Sequence, residues 1–240
     1  MTHGATKARA HLLAYVRSAP TTYVYFAILL VTTCAISATD ARSANRFLLS
    51  QSTNLNHLAS DPLPVLVSSA FWLASPEQLA GWAVLFTLVL APVERRVGGW
   101  RLGGVFALGH VGATLVTAAG VWIALRLDLV ERRIADARDV GASYGFLAVA
   151  AALVYLLHPA LRRPYAAALL GLVAADAAIQ RDFTGYGHVA AVVIGFACFG
   201  LVARPRGRPP APVGEAVVRA WRERSARRLS GRSGRSASSP

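Results

Sequence analysis

Long apolar runs, separated by short polar segments, make up most of the chain. A helix that spans a bilayer needs about 20 predominantly apolar residues. Six runs approach that length, and they cover residues 21–38, 78–93, 102–125, 140–157, 165–179 and 188–203. A shorter apolar piece at 63–74 precedes the second run. This pattern predicts an all-α membrane protein with six transmembrane helices.

The polar segments between these runs alternate in charge. Arg and Lys exceed Asp and Glu before the first run, after the second, after the fourth and after the sixth. In the other segments the acidic and basic residues nearly balance. Cytoplasmic loops of membrane proteins carry the excess of Lys and Arg. The alternation therefore predicts a multi-pass protein of the cell membrane with both termini in the cytoplasm.

Composition narrows the class of protein further. Hydrophobic residues make up 55% of the chain and charged residues 15%, and the mean hydropathy is +0.45. These values exclude a soluble single-core enzyme and a disordered chain. Cys34 and Cys198 both lie within apolar runs, so no disulfide framework is predicted. The net charge of +13 suits an anionic inner leaflet, and the apolar runs argue against a nucleic acid partner.

Three regions follow from these patterns: a basic cytoplasmic N-terminus at 1–20, a membrane domain at 21–203, and a basic, partly disordered cytoplasmic tail at 204–240. Within the tail, residues 214–229 either form a basic helix on the anionic leaflet or remain a solvated segment. Residues 230–240 are rich in Ser, Gly and Arg and are predicted to be disordered.

Two polar residues inside the apolar runs, Ser143 and His188, suggest chemistry. Both stand near the start of a run that enters from the outer face, so the predicted topology places them at similar depth. A serine hydroxyl becomes a nucleophile when a base within hydrogen-bond reach takes its proton. Gly141 and Gly145 flank the serine and would leave the N–H groups of the helix start open to an oxyanion. The pattern thus predicts a Ser143–His188 pair.

The same residues also have a purely structural interpretation. Gly141 and Gly145 form a GxxxG pattern, and Ala191 and Gly195 lie on one small-residue helix face. Both patterns are common where membrane helices pack closely. In either interpretation the fourth and sixth runs are expected to touch through these small residues. Tyr144 is then expected to point away, because its ring would hold the helices apart.

The remaining polar residues of the runs have simpler expected roles. Asp176 lies in the outer half of the fifth run and is expected to reach interfacial water. His110 is expected to form an interhelical hydrogen bond, for example to a backbone carbonyl or to Gln78. No set of metal ligands stands at helical spacing, so neither a metal nor a cofactor is predicted.

Taken together, the motifs resemble those of the rhomboid family of intramembrane serine proteases. The family's Gly-x-Ser-Gly motif is matched by Gly141-Ala142-Ser143, although Tyr144 follows, with Gly145 one place later. The family's histidine with small residues three and seven positions on is matched by His188, Ala191 and Gly195. The family's turn after the second span is matched by Glu94, Gly98 and, shortly afterwards, Arg101.

This resemblance implies a six-helix bundle in which residues 63–74 form an embedded loop between spans one and two. It implies that Ser143 is the nucleophile and His188 the base. The oxyanion would be held by the backbone N–H of Ser143, with support at Gly141 and Ala142 and with Gln78 as a helper. The implied substrates are transmembrane segments of other membrane proteins. One departure is that Gln78 and Trp82 replace the family's second-span His and Asn. A catalytically inactive protein that binds transmembrane helices is therefore the alternative. A small transporter is disfavoured, because no pair of spans is broken by Gly or Pro.

Overall fold

The computed structural model describes residues 2–73, 75–203 and 212–233. Within those ranges the regular structure is helical, apart from an isolated bridge between Leu157 and Val213. The N-terminal half contains α1 (Thr2–Arg17), α2 (Pro20–Ser37), α3 (Ala41–Ser50), α4 (Leu55–Ser60), α5 (Pro62–Ser68), α6 (Gln78–Leu85) and α7 (Ala91–Val97). The prediction of an all-α fold is confirmed.

Short irregular helical turns join several of these elements. A 3-10 turn at Ser69–Phe71 continues α5, and a π-helical turn at Phe86–Leu90 joins α6 to α7. The π turn lies just before Pro92, which has no N–H to donate to a carbonyl in the preceding turn. Residues 78–97 therefore form one helical stretch with a local irregularity near its centre.

The C-terminal half contains α8 (Gly99–Arg126), α9 (Ser143–Ala152), α10 (Pro159–Gln180), α11 (Phe183–Ala197), α12 (Phe199–Val202) and α13 (Glu215–Ser233). Further 3-10 turns lie at Arg132–Asp136, between α8 and α9, and at Leu153–Leu156, directly after α9. Pro159 occupies the first position of α10, where its missing N–H costs no hydrogen bond.

Helices occupy all six positions at which the sequence predicts spans. By length and composition, α2 and α8 are the two described helices that could each cross a bilayer. The apolar helical segments Pro62–Phe71, Ser143–Leu156 and Phe183–Ala197 are shorter. The six-span count therefore stays a prediction. In the segment predicted to be an embedded loop, the described residues 63–73 are helical over most of their length, as α5 and the turn that follows it.

The core is built around α9. Every residue of α9 from Tyr144 to Ala152 is buried, and α8 and α11 pack on it. Ala148 lies between Gly109 of α8 and Gly195 of α11. A Cβ at Gly195 would lie 2.7 Å from Ala148 Cα and closer still to the Ala148 carbonyl oxygen. Small residues thus allow the backbones of α9 and α11 to touch, as expected for helix packing in lipid.

Two other details of the expected packing are wrong. Tyr144 is 3% exposed and points into the contact between α9 and α11, where its Cζ would lie 2.5 Å from a Cβ placed on Gly187. The absence of a side chain at Gly187 makes room for the phenol ring. Gly145 faces the Phe106 ring of α8, and a Cβ added at Gly145 would lie 2.5 Å from the nearest atoms of that ring. Gly141 precedes α9, and an added Cβ there would meet nothing within 4 Å.

The Glu94 motif has a structural role at the other end of the bundle. The buried Glu94 carboxylate accepts hydrogen bonds from the backbone N–H groups of Thr21 and Thr22, at 2.8 and 2.7 Å, and from the Thr22 hydroxyl at 2.7 Å. These N–H groups belong to the first turn of α2, where the helix supplies no acceptors. Gly98 has φ +85° and ends α7, and Gly99 leaves no space for a Cβ beside Thr21. The motif therefore joins α2 to the turn between α7 and α8, a turn that Arg101 follows inside α8.

The terminal regions are partly described. In the N-terminal region, the Tyr15 hydroxyl of α1 donates to the Thr87 carbonyl at 2.9 Å, and the Arg95 guanidinium lies over the Tyr15 ring. In the tail, α13 includes the predicted basic helix and extends it to Ser233, into the stretch predicted to be disordered. The rest of that prediction, at 204–211 and 234–240, lies outside the described residues.

Candidate active site

A cavity of about 480 Å³ brings together several of the predicted site residues. Ser143, His188, Gln78 and Gly141 all line it. The other lining residues come from α6, from the end of the 63–73 segment, from the segment before α9 and from the start of α11: Leu73, Gly81, Trp82, Leu85, Arg138, Asp139, Val140 and Thr184. The structure thus places Ser143 and His188 at the same cavity.

Ser143 is the first residue of α9, and the backbone before it is held in place. Ala142 is the N-cap, and Gly141 has φ +143°, in the region that favours glycine. The Gly141 N–H donates to the Ser69 carbonyl at 2.9 Å, which ties this turn to the end of α5. Because no atom crowds Gly141, its role is conformational: it lets the chain turn into α9 directly before the serine.

The start of α9 offers backbone donors beside the serine. The Phe146 N–H donates to the Ala142 carbonyl at 2.9 Å and makes the first bond of the helix. The preceding N–H groups, those of Ser143, Tyr144 and Gly145, have no partner within the helix. The positive end of the helix dipole lies at the same place. A negatively charged oxygen next to Ser143 would be stabilised there.

The His188 ring is held by an acid on the neighbouring helix. His188 Nδ1 lies 2.7 Å from Asp176 Oδ2 of α10, and the two side chains are 18% and 29% exposed. His188 Nε2 is buried and has no hydrogen-bond partner among the described residues. A carboxylate at Nδ1 favours the tautomer with its proton on that nitrogen, which leaves Nε2 as an acceptor. Nε2 is therefore left without a partner and in the form that can accept a proton.

Tyr144 supports the same ring from the side. Its ring lies edge to face with that of His188, with 5.6 Å between the centroids. Because Tyr144 is almost fully buried between α9 and α11, it restricts the rotation of the imidazole. Ser143 and His188 themselves are not joined by a hydrogen bond in the described part of the chain. Catalytic hydrogen bonds are often long or poorly aligned before a substrate binds, so the lack of this bond does not exclude a reactive pair.

Asp139 is a further carboxyl at this cavity. It accepts a hydrogen bond from the Thr53 hydroxyl at 3.2 Å, and its backbone N–H donates to the Ser52 hydroxyl at 2.7 Å. Burial raises the pKa of Asp139 to about 6, against the opposing effects of the Thr53 hydrogen bond and the nearby His188. Asp139 thus fastens the segment before α9 to the segment before α4.

The two substituted positions on α6 differ in their surroundings. Gln78 begins α6 and is exposed at the cavity, so its amide is accessible to a ligand. The Trp82 ring packs edge to face on Phe86 and Phe146, at centroid distances of 5.5 and 5.4 Å. Trp82 therefore forms an aromatic wall of the cavity.

His110 lies apart from this site. Its Nε2 is 3.1 Å from the Ser69 hydroxyl, so it does form an interhelical hydrogen bond, to a side chain that the sequence did not indicate. The residues that the structure describes contain no group of three or more His, Cys, Asp or Glu that could hold a metal ion.

The contact between Asp176 and His188 was missed at the level of sequence, although a signal was present. The helices α10 and α11 are joined by the short turn at Arg181 and Asp182. In an antiparallel helical hairpin, residues equally distant from the turn lie at the same height. Asp176 and His188 are each six residues from Asp182, so an acid and a base at matched positions could have been recognised.

A family model described as rhomboid-like protein matches residues 14–209. No curated protein and no solved structure matches the chain. The matched range contains the cavity and all of the residues that line it.

Proposed function

Because the chain belongs to the family of rhomboid-like proteins and is a rhomboid-like membrane protein, we propose that it is an intramembrane serine endopeptidase. The proposed substrates are transmembrane segments of other membrane proteins. The observation that carries the proposal is the cavity lined both by Ser143, at the start of α9, and by His188, whose Nε2 has no hydrogen-bond partner among the described residues.

The proposed mechanism is acyl transfer through the serine. His188 Nε2 takes the proton from Ser143 Oγ as the oxygen attacks the scissile carbonyl. The resulting oxyanion is stabilised by the backbone N–H groups at the start of α9, and the Gln78 amide is a candidate further donor. His188 then gives the proton to the leaving amine, and water releases the acyl group by the same route.

The proposed topology gives this site its setting. Helices at the six predicted spans would place both termini in the cytoplasm of the cell, with the start of α9 near the outer face. The basic tail would then lie at the anionic inner leaflet. On α13, Val217 and Trp221 are both exposed and lie one helical turn apart, as an interfacial helix requires.

The test of the proposed activity is labelling by a fluorophosphonate, which reacts with activated serines, together with cleavage of a model transmembrane substrate. The full chain is purified in detergent, with Ser143→Ala and with Ser60→Ala as a matched control at an exposed serine on α4. The wild type and Ser60→Ala are expected to label and cleave, and Ser143→Ala to do neither. Cleavage that survives Ser143→Ala would contradict the assignment.

A second candidate is a catalytically inactive protein that binds transmembrane helices. The observation that favours it is Trp82, a large ring in the cavity wall where rhomboid proteases carry a polar side chain. Losing one oxyanion donor typically slows catalysis about 100- to 1000-fold. If this candidate is correct, the wild-type protein should photocrosslink to a transmembrane peptide, but it should neither react with the fluorophosphonate nor cleave the model substrate.

A further inference from the structure

We propose that Asp176 is a positioning residue that fixes the orientation and tautomer of His188, so that the site works as a Ser143–His188–Asp176 triad. This inference rests on the proposed protease function. It adds a third member, from α10, to a site whose resemblance to rhomboid proteases implies only a serine and a histidine.

The first support is the geometry of the hydrogen bond. The distance of 2.7 Å between His188 Nδ1 and Asp176 Oδ2 is short for a bond between nitrogen and oxygen, as is typical when one partner is charged. Both side chains are largely shielded, so water competes little for the carboxylate. The bond fixes the ring plane and assigns the proton to Nδ1.

The second support is the state of the other ring nitrogen. Nε2 is buried and has no hydrogen-bond partner in the described residues. A buried ring nitrogen normally has a hydrogen-bond partner, so one without a partner requires an explanation, and a catalytic role is one such explanation. With Nδ1 fixed by Asp176, Nε2 is the acceptor that Ser143 needs.

The third support is that, in the part of the chain that the structure describes, no other charged group is hydrogen-bonded to His188. Asp139 and Arg138, from the segment before α9, line the same cavity. Asp139 is bonded to Thr53, and Asp182 accepts from the Gly185 N–H as the N-cap of α11. From α9, the uncharged Tyr144 ring contacts His188 at its side. Asp176 is therefore the group in position to orient the ring.

A structural role would give the same contact, because a hydrogen bond between α10 and α11 also holds a hairpin together. The second oxygen of Asp176 separates the two possibilities. Asp176 Oδ1 accepts a hydrogen bond from the Gln180 side chain at 3.4 Å. In Asp176→Asn, this donor favours the amide oxygen on the Gln180 side, which turns the NH₂ group toward His188. An NH₂ at Nδ1 forces the proton onto Nε2, which then cannot accept from Ser143.

The experiment measures the rate of fluorophosphonate labelling and the kcat and KM of cleavage for the full chain in detergent. The variants are Asp176→Asn, Asp176→Ala and Asp176→Glu, with Asp182→Asn as the matched control. Asp182 lies on the same hairpin, is exposed, and Asn caps a helix as well as Asp. Thermal unfolding and gel filtration of each variant report on folding.

The expected order of rates is distinctive. Asp176→Asn lowers kcat by about 100-fold or more with little change in KM, as loss of the correct tautomer does in serine hydrolases. Asp176→Ala, which leaves the ring able to adopt either tautomer, is less impaired than Asp176→Asn. Asp176→Glu retains the carboxylate and recovers part of the rate, and Asp182→Asn behaves like the wild type.

Different results identify which statement is wrong. If the wild type labels and Asp176→Asn is as fast, the role of Asp176 is refuted and the proposed protease stands. If Asp176→Asn is milder than Asp176→Ala, and the rates follow the unfolding temperatures, Asp176 has a structural role and the inference is refuted. If the wild type itself neither labels nor cleaves, the protease function is refuted, and the triad with it.

Discussion

The contact between α9 and α11 can be tested by adding a single methyl group at Gly195. In Gly195→Ala, the new Cβ would lie 2.7 Å from Ala148 Cα and 2.8 Å from its carbonyl carbon, so it meets the backbone of α9. A backbone cannot rotate away as a flexible side chain can. Ala148 is also backed by Gly109 of α8, where there is equally little space. The two helices must therefore separate to accept the methyl group.

The magnitude follows from two opposing effects. Overpacking of a well-filled core costs about 1–3 kcal/mol. Replacing Gly by Ala within a helix also stabilises the folded state by up to about 1 kcal/mol, because Ala has the higher helix propensity. Gly195→Ala is therefore expected to lower the free energy of unfolding by roughly 1–2 kcal/mol, and Gly195→Leu by more. At Gly200 of α12, an added Cβ meets nothing within 4 Å, so Gly200→Ala is expected to be neutral or slightly stabilising.

The assay is thermal unfolding in detergent, followed by the fluorescence of the five tryptophans. For a chain of this size, 1 kcal/mol corresponds to a shift in Tm of about 2–4 °C. Gly195→Ala should melt several degrees below both the wild type and Gly200→Ala. Equal Tm values for the two alanine variants would show that α9 and α11 are not in backbone contact, and the arrangement of the site would have to be revised.

Three further predictions concern charge and topology. Asp139→Asn should raise the Tm at pH 8 and leave it unchanged below about pH 4. Because burial raises the pKa of the folded carboxyl from 3.8 to about 6, the stability that protonated Asp139 gives is fully present below the unfolded pKa and is lost as the pH rises through 6, whereas the neutral Asn retains it at every pH. Equal shifts in Tm at both pH values would refute this. Glu94→Gln should cost about 1–3 kcal/mol in an unfolding titration, because an NH₂ group would replace an oxygen that faces the N–H donors of α2; unchanged stability would contradict the capping role. In cells, with the free Cys34 and Cys198 replaced by Ser, a thiol introduced by Leu129→Cys should react with a membrane-impermeant maleimide added outside, and one introduced by Val217→Cys should not; the reverse pattern would invert the topology.

The positions of the helices could be predicted from sequence because apolar runs are a direct consequence of burial in lipid or in a core. The predictions were less accurate for the ends of the helices and for the contacts between helices. The fifth run, 165–179, becomes the longer α10 (Pro159–Gln180), because Arg162 and Arg163 mask its start in a count of apolar residues. Proline at the first position of a helix was the sequence signal for that start.

The direction of Tyr144 could not be obtained in the same way. The prediction assumed that a large ring would separate α9 from α11, which holds only if the facing residue has a side chain. Gly187 lies directly before His188 and has none, so the ring fits beside the imidazole. Which face of a helix meets its neighbour depends on pairs of residues from both helices. A single helix read by itself contains only half of that information.

The position of the candidate site follows from how α9 is packed. A nucleophile must be held firmly while its surroundings remain open to a ligand. The body of α9 is buried on all sides, with α8 and α11 in close contact at Ala148, while its first residue, Ser143, borders a cavity. The same helix start supplies unpaired N–H groups, which exist only at a helix terminus. Ser143, the unpaired N–H groups beside it and the Tyr144 ring that contacts His188 thus all belong to one rigid element. A loss of packing at Gly195 should therefore impair the proposed labelling of Ser143 as well as stability.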